Sequence, residues 1–348
     1  MDPGRRRRRP EHVGEHGTAV KWIEQLLRAI DRLQQRHSIL GFPVGVIKKF
    51  GDDQGGKHAA LLAYYGFVSL FPLLLVLVTV LGYVLDGNPG LQQRVIDTTV
   101  AQFPVLGPQL RDGVSAMQGS GLGLVIGVAG TLWGGLGITQ TAQDAMNAVW
   151  NVPRRDRPNL WLRLARSIGS LSLVAAGLCI ATVLAGLGTV WPGILNSLAP
   201  LTGSLLLNLL LVMVMFQVLT ATAVPWARLV PGAATAAVAW SALQALGVVI
   251  VSRQLARANL VYGVFAVVLV LLSWMHLGGR LLVYAAEINL VLARRPWART
   301  LLQPPLTAQD RQVLTALAET EQLRPEQRVE VTFSPDPDDG GDARAHRG

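Results

Sequence analysis

The sequence predicts an all-α, polytopic integral membrane protein: a bundle of six transmembrane helices with both termini on the cytoplasmic side. Of its 348 residues, 51% are hydrophobic and only 15% are charged, whereas a soluble domain carries about 25% charged residues. Residues 167–227 contain no Lys, Arg, Asp or Glu over 61 consecutive positions. This composition argues against a cytosolic enzyme, a disordered protein and an ordinary nucleic-acid-binding domain.

The apolar runs divide into six segments of membrane-spanning length. A bilayer core about 30 Å thick needs about 20 apolar residues in a helix. The 61-residue run is too long for one crossing, so we divide it at a turn predicted for Trp191-Pro192-Gly193 and Ala199-Pro200. The predicted spans are residues 59–85, 121–143, 167–190, 201–223, 230–252 and 260–286.

The basic residues predict the orientation of these spans. When the connecting segments are assigned alternately to the two sides, 27 of the 31 Lys and Arg residues fall on one side. Cationic loops stay in the cytoplasm, so both termini are expected there. No apolar core follows Arg5–Arg9 within signal-peptide range, and the first span is expected to act as the targeting signal.

The segments before and between the first spans predict three further elements. Residues 1–17 have the composition of a disordered basic arm, and residues 18–58 are expected to form cytoplasmic or interfacial helices. Within them, Ala19–Arg36 has the apolar spacing of an amphipathic helix. It would either lie on the inner leaflet, with its Lys and Arg meeting anionic lipid headgroups, or pack on the rest of the protein. Residues 91–103 indicate a short helix in the external loop between spans one and two.

The C-terminal segment, residues 296–348, is predicted to be a cytoplasmic tail that is mostly disordered. One short helix is expected over residues 307–323. Thr307 would be its N-cap, and Asp310 stands in the capping-box position, where it substitutes for the preferred Glu or Gln.

The sequence offers no convincing site for a metal, a cofactor or nucleic acid. Gly51–His58 resembles a phosphate loop, but no strand precedes it and the Lys is followed by His instead of Ser or Thr. His12–His16 matches an inverted zinc-peptidase pattern without an evident third ligand. The single Cys179 excludes an intramolecular disulfide framework, and Arg5–Arg9 is sufficiently explained as topogenic charge. We therefore expect no metal, no cofactor and no nucleic-acid partner.

Polar residues inside the apolar segments are the candidate functional residues, because each needs a partner or a water-filled cavity. Gln140, Asp144, Asn147 and Asn151 form one stripe at the inner end of span two. Arg280 in span six and Glu287 at its inner end are seven residues apart and share a helix face. The functional interpretation is an inward-facing polar cavity lined by Asp144, Arg280 and Glu287, together with Gln140 and Asn147. The structural interpretation, hydrogen bonds between helices and side chains that reach the interface, stays open.

Two features predict the packing of the first spans. Pro72 inside span one frees a backbone carbonyl and is expected to kink the helix. Span two has small residues at intervals of about four, including Gly123, Gly127, Gly130 and Gly134. Small residues let helices approach closely, and Gly134-Gly135 with Gly137 could instead mark an unwound stretch of the kind that transporters use at binding sites.

Three stretches together resemble the YihY/virulence factor BrkB family of bacterial inner-membrane proteins. The first is Asp53 with Ala59–Pro72, the second is the Asn-x-x-Trp-x-Val pattern of Asn147–Val152, and the third is Tyr262-Gly263, Trp274 and Ala286–Asn289. The resemblance covers about residues 42–295, and Arg280 departs from it, since an apolar residue is usual there. It implies a six-span protein of the bacterial cytoplasmic membrane without a settled biochemical function.

The expected function is transport of a solute, an amphiphile or a lipid without a nucleotide site. A non-transporting membrane scaffold or accessory subunit is the alternative. An enzyme is not expected: the ribonuclease label that the resemblance implies needs clustered His and carboxylate residues, and the six His residues are scattered. An intramembrane enzyme ranks last. The lipid bilayer is the expected partner, and the sequence leaves a homo-oligomer open.

Overall fold

The computed structural model describes residues 38–84, 121–187, 195–255, 263–294, 299–300, 306–324 and 326–334. Within these ranges the chain is helical and contains no strand. The helices are α1 (Ser38–Asp52), α2 (Gly55–Val84), α3 (Gly121–Val149), α4 (Leu160–Leu187), α5 (Leu195–Leu219), α6 (Trp226–Leu255), α7 (Gly263–Arg294) and α8 (Ala308–Thr320), with a 3-10 turn at Arg154–Asp156. The predicted basic arm, amphipathic helix and external helix lie outside the described residues.

The chain divides into two compact units. One comprises Val46–Arg295 with Leu317–Val329, and the other comprises Met1–Gly45, Pro296–Ala316 and Glu330–Gly348. In the first unit α2 packs on α3 and α7, α7 packs on α6, and α4 packs on α3 and α5. In the second unit the described residues include the start of α8, where Asp310 accepts a hydrogen bond from the Thr307 backbone N–H and Thr307 Oγ1 accepts one from the Asp310 N–H. This reciprocal pair confirms the predicted capping box.

Four described helices contain stretches that are long and apolar enough to cross a membrane. They are Leu160–Ala181, Leu201–Leu219, Trp226–Gly247 and Val268–Arg294. The first two predicted spans fall on α2 and α3. Large apolar side chains lie exposed on these helices, as expected where lipid and not water is the neighbour. Examples are Trp133, Ile168, Leu201, Leu206, Leu210, Val238 and Leu246.

The structure contradicts one predicted turn and extends one helix beyond its predicted span. Ala199-Pro200 does not form a turn but lies within the first two turns of α5, where the proline is accommodated with the loss of one helical hydrogen bond. Helix α4 begins at Leu160, seven residues before the predicted span, since the Asn159 Oδ1 accepts the Leu162 N–H at 3.0 Å and caps it. The predicted turn at Trp191–Gly193 lies outside the described residues.

The glycines of α3 form a contact ridge against α2. A Cβ on Gly130 would meet the Pro72 ring at 2.8 Å, one on Gly134 would meet the Ser69 Cβ at 2.5 Å, and one on Gly137 would meet the Tyr65 ring at 2.3 Å. The numbers rise along α3 as they fall along α2, so the two helices run antiparallel. The packing interpretation of these glycines is confirmed, and the unwound stretch is wrong because α3 is continuous from Gly121 to Val149.

The segment that resembled a phosphate loop is a tight connection between two helices. Helix α1 ends at Asp52, α2 begins at Gly55, and Gln54 between them has a φ of 54°. A helix, not a strand, precedes the glycines. This turn places the end of α1 beside the large buried core, which lies where α3, α5, α6 and α7 meet. That core includes Phe50, Met146, Val149, Phe216, Leu219, Leu229, Val283 and Leu290.

Candidate functional site

A buried ion pair marks the end of α1. Lys49 and Asp53 are four residues apart, the Lys49 ammonium donates a hydrogen bond to Asp53 Oδ2, and each side chain is 1% exposed. The Lys49 Nζ also lies 3.4 Å from the Val149 carbonyl oxygen and 3.3 Å from Asn151 Oδ1. Val149 is the last residue of α3, so its carbonyl has no partner within that helix, and a cation is favourable at this negative helix end.

Glu287 adds a second carboxyl group to this pair. It is 0% exposed, and neither of its carboxyl oxygens has a hydrogen-bond partner among the described residues. The Asp53 and Glu287 carboxyl groups lie near enough to act on each other electrostatically, and the Lys49 ammonium acts on both. We call Lys49, Asp53 and Glu287 the charged cluster. It joins α1 and its turn to α7.

Burial raises the pKa of the Asp53 carboxyl, because the side chain loses its contact with water. The neighbouring Lys49 ammonium acts in the opposite direction, and burial outweighs it. Asp53 lies before α2, outside the predicted spans. The charged cluster is therefore an environment that disfavours a second carboxylate charge.

Asn151 reaches the charged cluster because of the way in which α3 ends. Its φ is 50°, its N–H bonds the Ala148 carbonyl at 2.9 Å, and the Val152 N–H bonds the Asn147 carbonyl at 2.8 Å. These two hydrogen bonds form a Schellman motif, in which Asn is one of the few residues that tolerate the left-handed position. The Asn-x-x-Trp-x-Val pattern thus corresponds to a helix end, with Trp150 and Val152 buried.

Buried amide side chains connect the helices around the charged cluster. Asn147 Oδ1 accepts the Ala221 N–H at 2.8 Å, just beyond the end of α5. Asn289 Oδ1 accepts the Gly232 N–H at 2.6 Å, which joins α7 to α6. Gln143 donates to Ser167 Oγ at 3.0 Å and joins α3 to α4. Each bond satisfies a polar group that would otherwise be unpaired in an apolar setting.

The predicted site residues have different partners. Asp144 is half-buried and pairs with Arg163 at 3.1 Å and with Arg157 at 3.6 Å. Arg280 is exposed, and its guanidinium carbon lies 5.7 Å from the ring centroid of Phe50 and 5.8 Å from that of Tyr284. Gln140 is half-buried. A single cavity lined by Asp144, Arg280 and Glu287 stays a prediction, and so does the kink at Pro72.

Lys49 and Asp53 were missed as site residues. In the sequence, Lys49 contributes only to the positive charge that predicts the orientation of the spans, and Asp53 contributes only to the family resemblance. Their spacing of four on one helix face was the available signal. The contacts of Lys49 to Val149 and Asn151 span 100 and 102 positions. No local sequence pattern could therefore predict these contacts.

Long apolar helices, exposed apolar side chains and a charged cluster buried at one helix end define a helical membrane protein. The model of the family described as Virulence factor BrkB matches residues 46–309. The chain therefore belongs to this family, as the resemblance of its motifs indicated.

The chain is similar to several bacterial membrane proteins. It is 26% identical to the inner membrane protein YhjD of Escherichia coli over 50% of this chain and 53% of that protein. It is 28% identical to a UPF0761 membrane protein of Azotobacter vinelandii over 73% of this chain and 64% of the relative. A UPF0761 membrane protein of Alcanivorax borkumensis is 26% identical over 72% and 60%. The chain thus spans between about half and two thirds of the length of these relatives, and no solved structure gives a significant match.

Proposed function

We propose that the chain crosses the bacterial cytoplasmic membrane six times, with both termini in the cytoplasm, and moves a solute, an amphiphile or a lipid. No nucleotide site is part of this proposal, so movement is passive or driven by a gradient. The relatives are named as membrane proteins, which supports a location in the membrane. The positions of α2 and α3 on the first two predicted spans, with the four apolar stretches of α4 to α7, support six crossings.

The observation that carries the transport proposal is the charged cluster. A buried ion pair contributes little net stability, since apolar residues of similar volume often serve as well or better. Ionisable residues inside membrane helices are rare and mark ion or substrate pathways. Glu287 is fully buried in an apolar helix without a hydrogen-bond partner among the described residues. This arrangement supports transport over a scaffold role.

The test is flux in proteoliposomes that contain the full chain. Fluorescent phospholipid analogues and small amphiphilic anions and cations would be offered with and without an imposed pH gradient. We expect movement of at least one substrate class, and loss of it in Glu287→Ala. Glu321→Gln, which alters an exposed carboxylate, is the matched control and should keep the flux.

Two outcomes would overturn the proposal. If the wild type moves nothing across the whole panel, the transport function is wrong and the scaffold alternative replaces it. If fusions at the two termini report from opposite sides of the membrane, the number of crossings is wrong.

A further inference from the structure

We propose that Asp53 and Glu287 together bind one proton, which is held between their carboxyl groups as a ligand of the folded protein. The argument begins with a count of donors and acceptors. The Lys49 ammonium has three N–H donors, and its three partners are Asp53 Oδ2, the Val149 carbonyl and Asn151 Oδ1. No donor of Lys49 is left for Glu287.

Three carboxyl oxygens of the charged cluster have no hydrogen-bond donor among the described residues. Asp53 Oδ1 and both carboxyl oxygens of Glu287 are buried and have no hydrogen-bond partner among the described residues. Two ionised carboxylates offer only acceptors. The two carboxyl groups can form a hydrogen bond with each other only when one of them carries a hydrogen atom, which a Glu287 oxygen would donate to Asp53 Oδ1.

The charge balance requires the same single proton. Two carboxylates and one ammonium leave one negative charge without compensation. A buried charge of this kind is neutralised by pairing or by protonation. Uptake of one proton from solvent brings the charged cluster to zero net charge and leaves the Lys49–Asp53 pair intact.

A metal cation does not fit these oxygens as well as a proton. Calcium takes six to eight oxygen ligands, and the described residues contain no group of three or more His, Cys, Asp or Glu residues able to hold a metal. The Lys49 ammonium already occupies the space beside Asp53 and would repel a second cation. A proton needs only one donor oxygen and one acceptor oxygen, and the pair supplies both.

The surroundings of Glu287 contain few other charges. Lys49 and Asp52 on α1, with Asp53 in the turn, are the charged groups that act on it. From α6 the contact to this part of α7 is neutral, through the Gly232 N–H and Asn289. On α2 and α3, the charged groups are Lys57, His58 and Asp144, and Asp144 and Lys57 act on His58. The protonation of the pair is therefore set by the charged cluster together with Asp52.

Protonation would control the contact between α1 and α7. With the proton bound, Asp53 and Glu287 attract each other through a hydrogen bond. Without it, two buried carboxylates repel each other and the contact loosens. That this loosening couples a proton gradient to substrate movement rests on the proposed function, whereas the proton site itself does not.

The test is infrared difference spectroscopy on the full chain in nanodiscs at neutral pH. A protonated carboxyl gives a carbonyl stretch that shifts in D₂O, and carboxylates do not. We expect this band in the wild type, its loss in Glu287→Gln, and its persistence in Glu321→Gln. Absence of the band in the wild type would overturn the proposal whether or not any variant folds.

Thermal unfolding supplies a second readout. Since the folded pair holds a proton that the unfolded chain releases, the melting temperature of the wild type should fall as the pH rises through the titration of the pair. Glu287→Gln keeps the shape of a protonated Glu and should lose this dependence. If sodium chloride, compared with choline chloride, removes the carbonyl band, the ligand is sodium and the proton proposal is wrong.

Proton binding and transport can fail separately. A carbonyl band without flux supports the proton site and contradicts the proposed function. Flux without the band supports transport and contradicts the proton site.

Discussion

Gly232 should not tolerate a side chain, because α6 and α7 approach each other there through their backbones. A Cβ at this position would lie 2.0 Å from the Ala285 carbonyl oxygen and 2.5 Å from Asn289 Nδ2. A backbone carbonyl within a helix cannot turn aside as a flexible side chain can. Gly232→Ala must therefore separate the two helices and weaken the hydrogen bond that the Gly232 N–H donates to Asn289.

The expected cost follows from these two effects. Overpacking a tight contact costs about 1–3 kcal/mol, and a weakened hydrogen bond costs about 1 kcal/mol. The higher helix propensity of Ala returns about 1 kcal/mol. We expect Gly232→Ala to lower the free energy of unfolding by about 1–3 kcal/mol, and each kcal/mol corresponds to a fall of about 2–4 °C in melting temperature.

The assay is thermal unfolding in detergent, followed by tryptophan fluorescence. Gly169→Ala is the matched control, because Gly169 is also helical and a Cβ there would meet nothing within 4 Å. Its melting temperature should stay the same or rise slightly. If the two variants melt at the same temperature, the close approach of α6 and α7 at Gly232 is refuted.

Three further predictions follow from the contacts described above. Lys49→Met removes the cation of a buried pair and should cost about 3–5 kcal/mol in unfolding experiments, whereas adding Asp53→Asn should recover part of that loss. Asn151→Ala should be about 1 kcal/mol less stable than Asn151→Gly, because Ala resists the positive φ and Gly does not. Burial alone would raise the pKa of Asp310, but hydrogen bonds from Thr300, Thr307 and Arg299 hold it well below its usual range. The stability that this carboxylate confers is present above its unfolded pKa of about 3.9 and should be lost as the pH falls through the folded value, seen as faster amide exchange in α8.

Each of these has a contradicting result. If Lys49→Met and the double variant Lys49→Met with Asp53→Asn were equally stable, Lys49 and Asp53 would not be coupled energetically. If Asn151→Ala and Asn151→Gly were equally stable, the positive φ at position 151 would not strain an alanine. If Asp310→Asn showed the same loss of exchange protection in acid as the wild type, another group would be responsible.

The apolar helices and the glycine contacts could be predicted from the sequence, because hydropathy and small-residue spacing are local properties. The capping box at Thr307 and Asp310 could be predicted for the same reason. The start of α4 could not be predicted in this way. Apolarity alone places the start at Ser167, whereas the helix begins at Leu160 with a cap at Asn159 and includes Arg163 and Arg166. Caps, not hydropathy, set the helix ends.

The charged cluster could be predicted only in part. Arg280 and Glu287 share a face of α7, and the spacing argument treats them alike, yet Arg280 is exposed and Glu287 is fully buried. Lys49 and Asp53, from α1 and its turn, act on Glu287 and contribute to its buried setting. Such coverage comes from segments more than two hundred positions away, which no periodicity reveals.

Contacts at two places along α3 constrain the number of residues between them. Val149 and Asn151 both reach Lys49 from the same helix terminus, while Gly130, Gly134 and Gly137 hold the same helix in register against α2. One inserted residue between Gly137 and Val149 would rotate the terminus by about 100° and advance it by about 1.5 Å. Both oxygens would then turn away from the ammonium, so this stretch of the chain should admit substitutions far more readily than insertions or deletions.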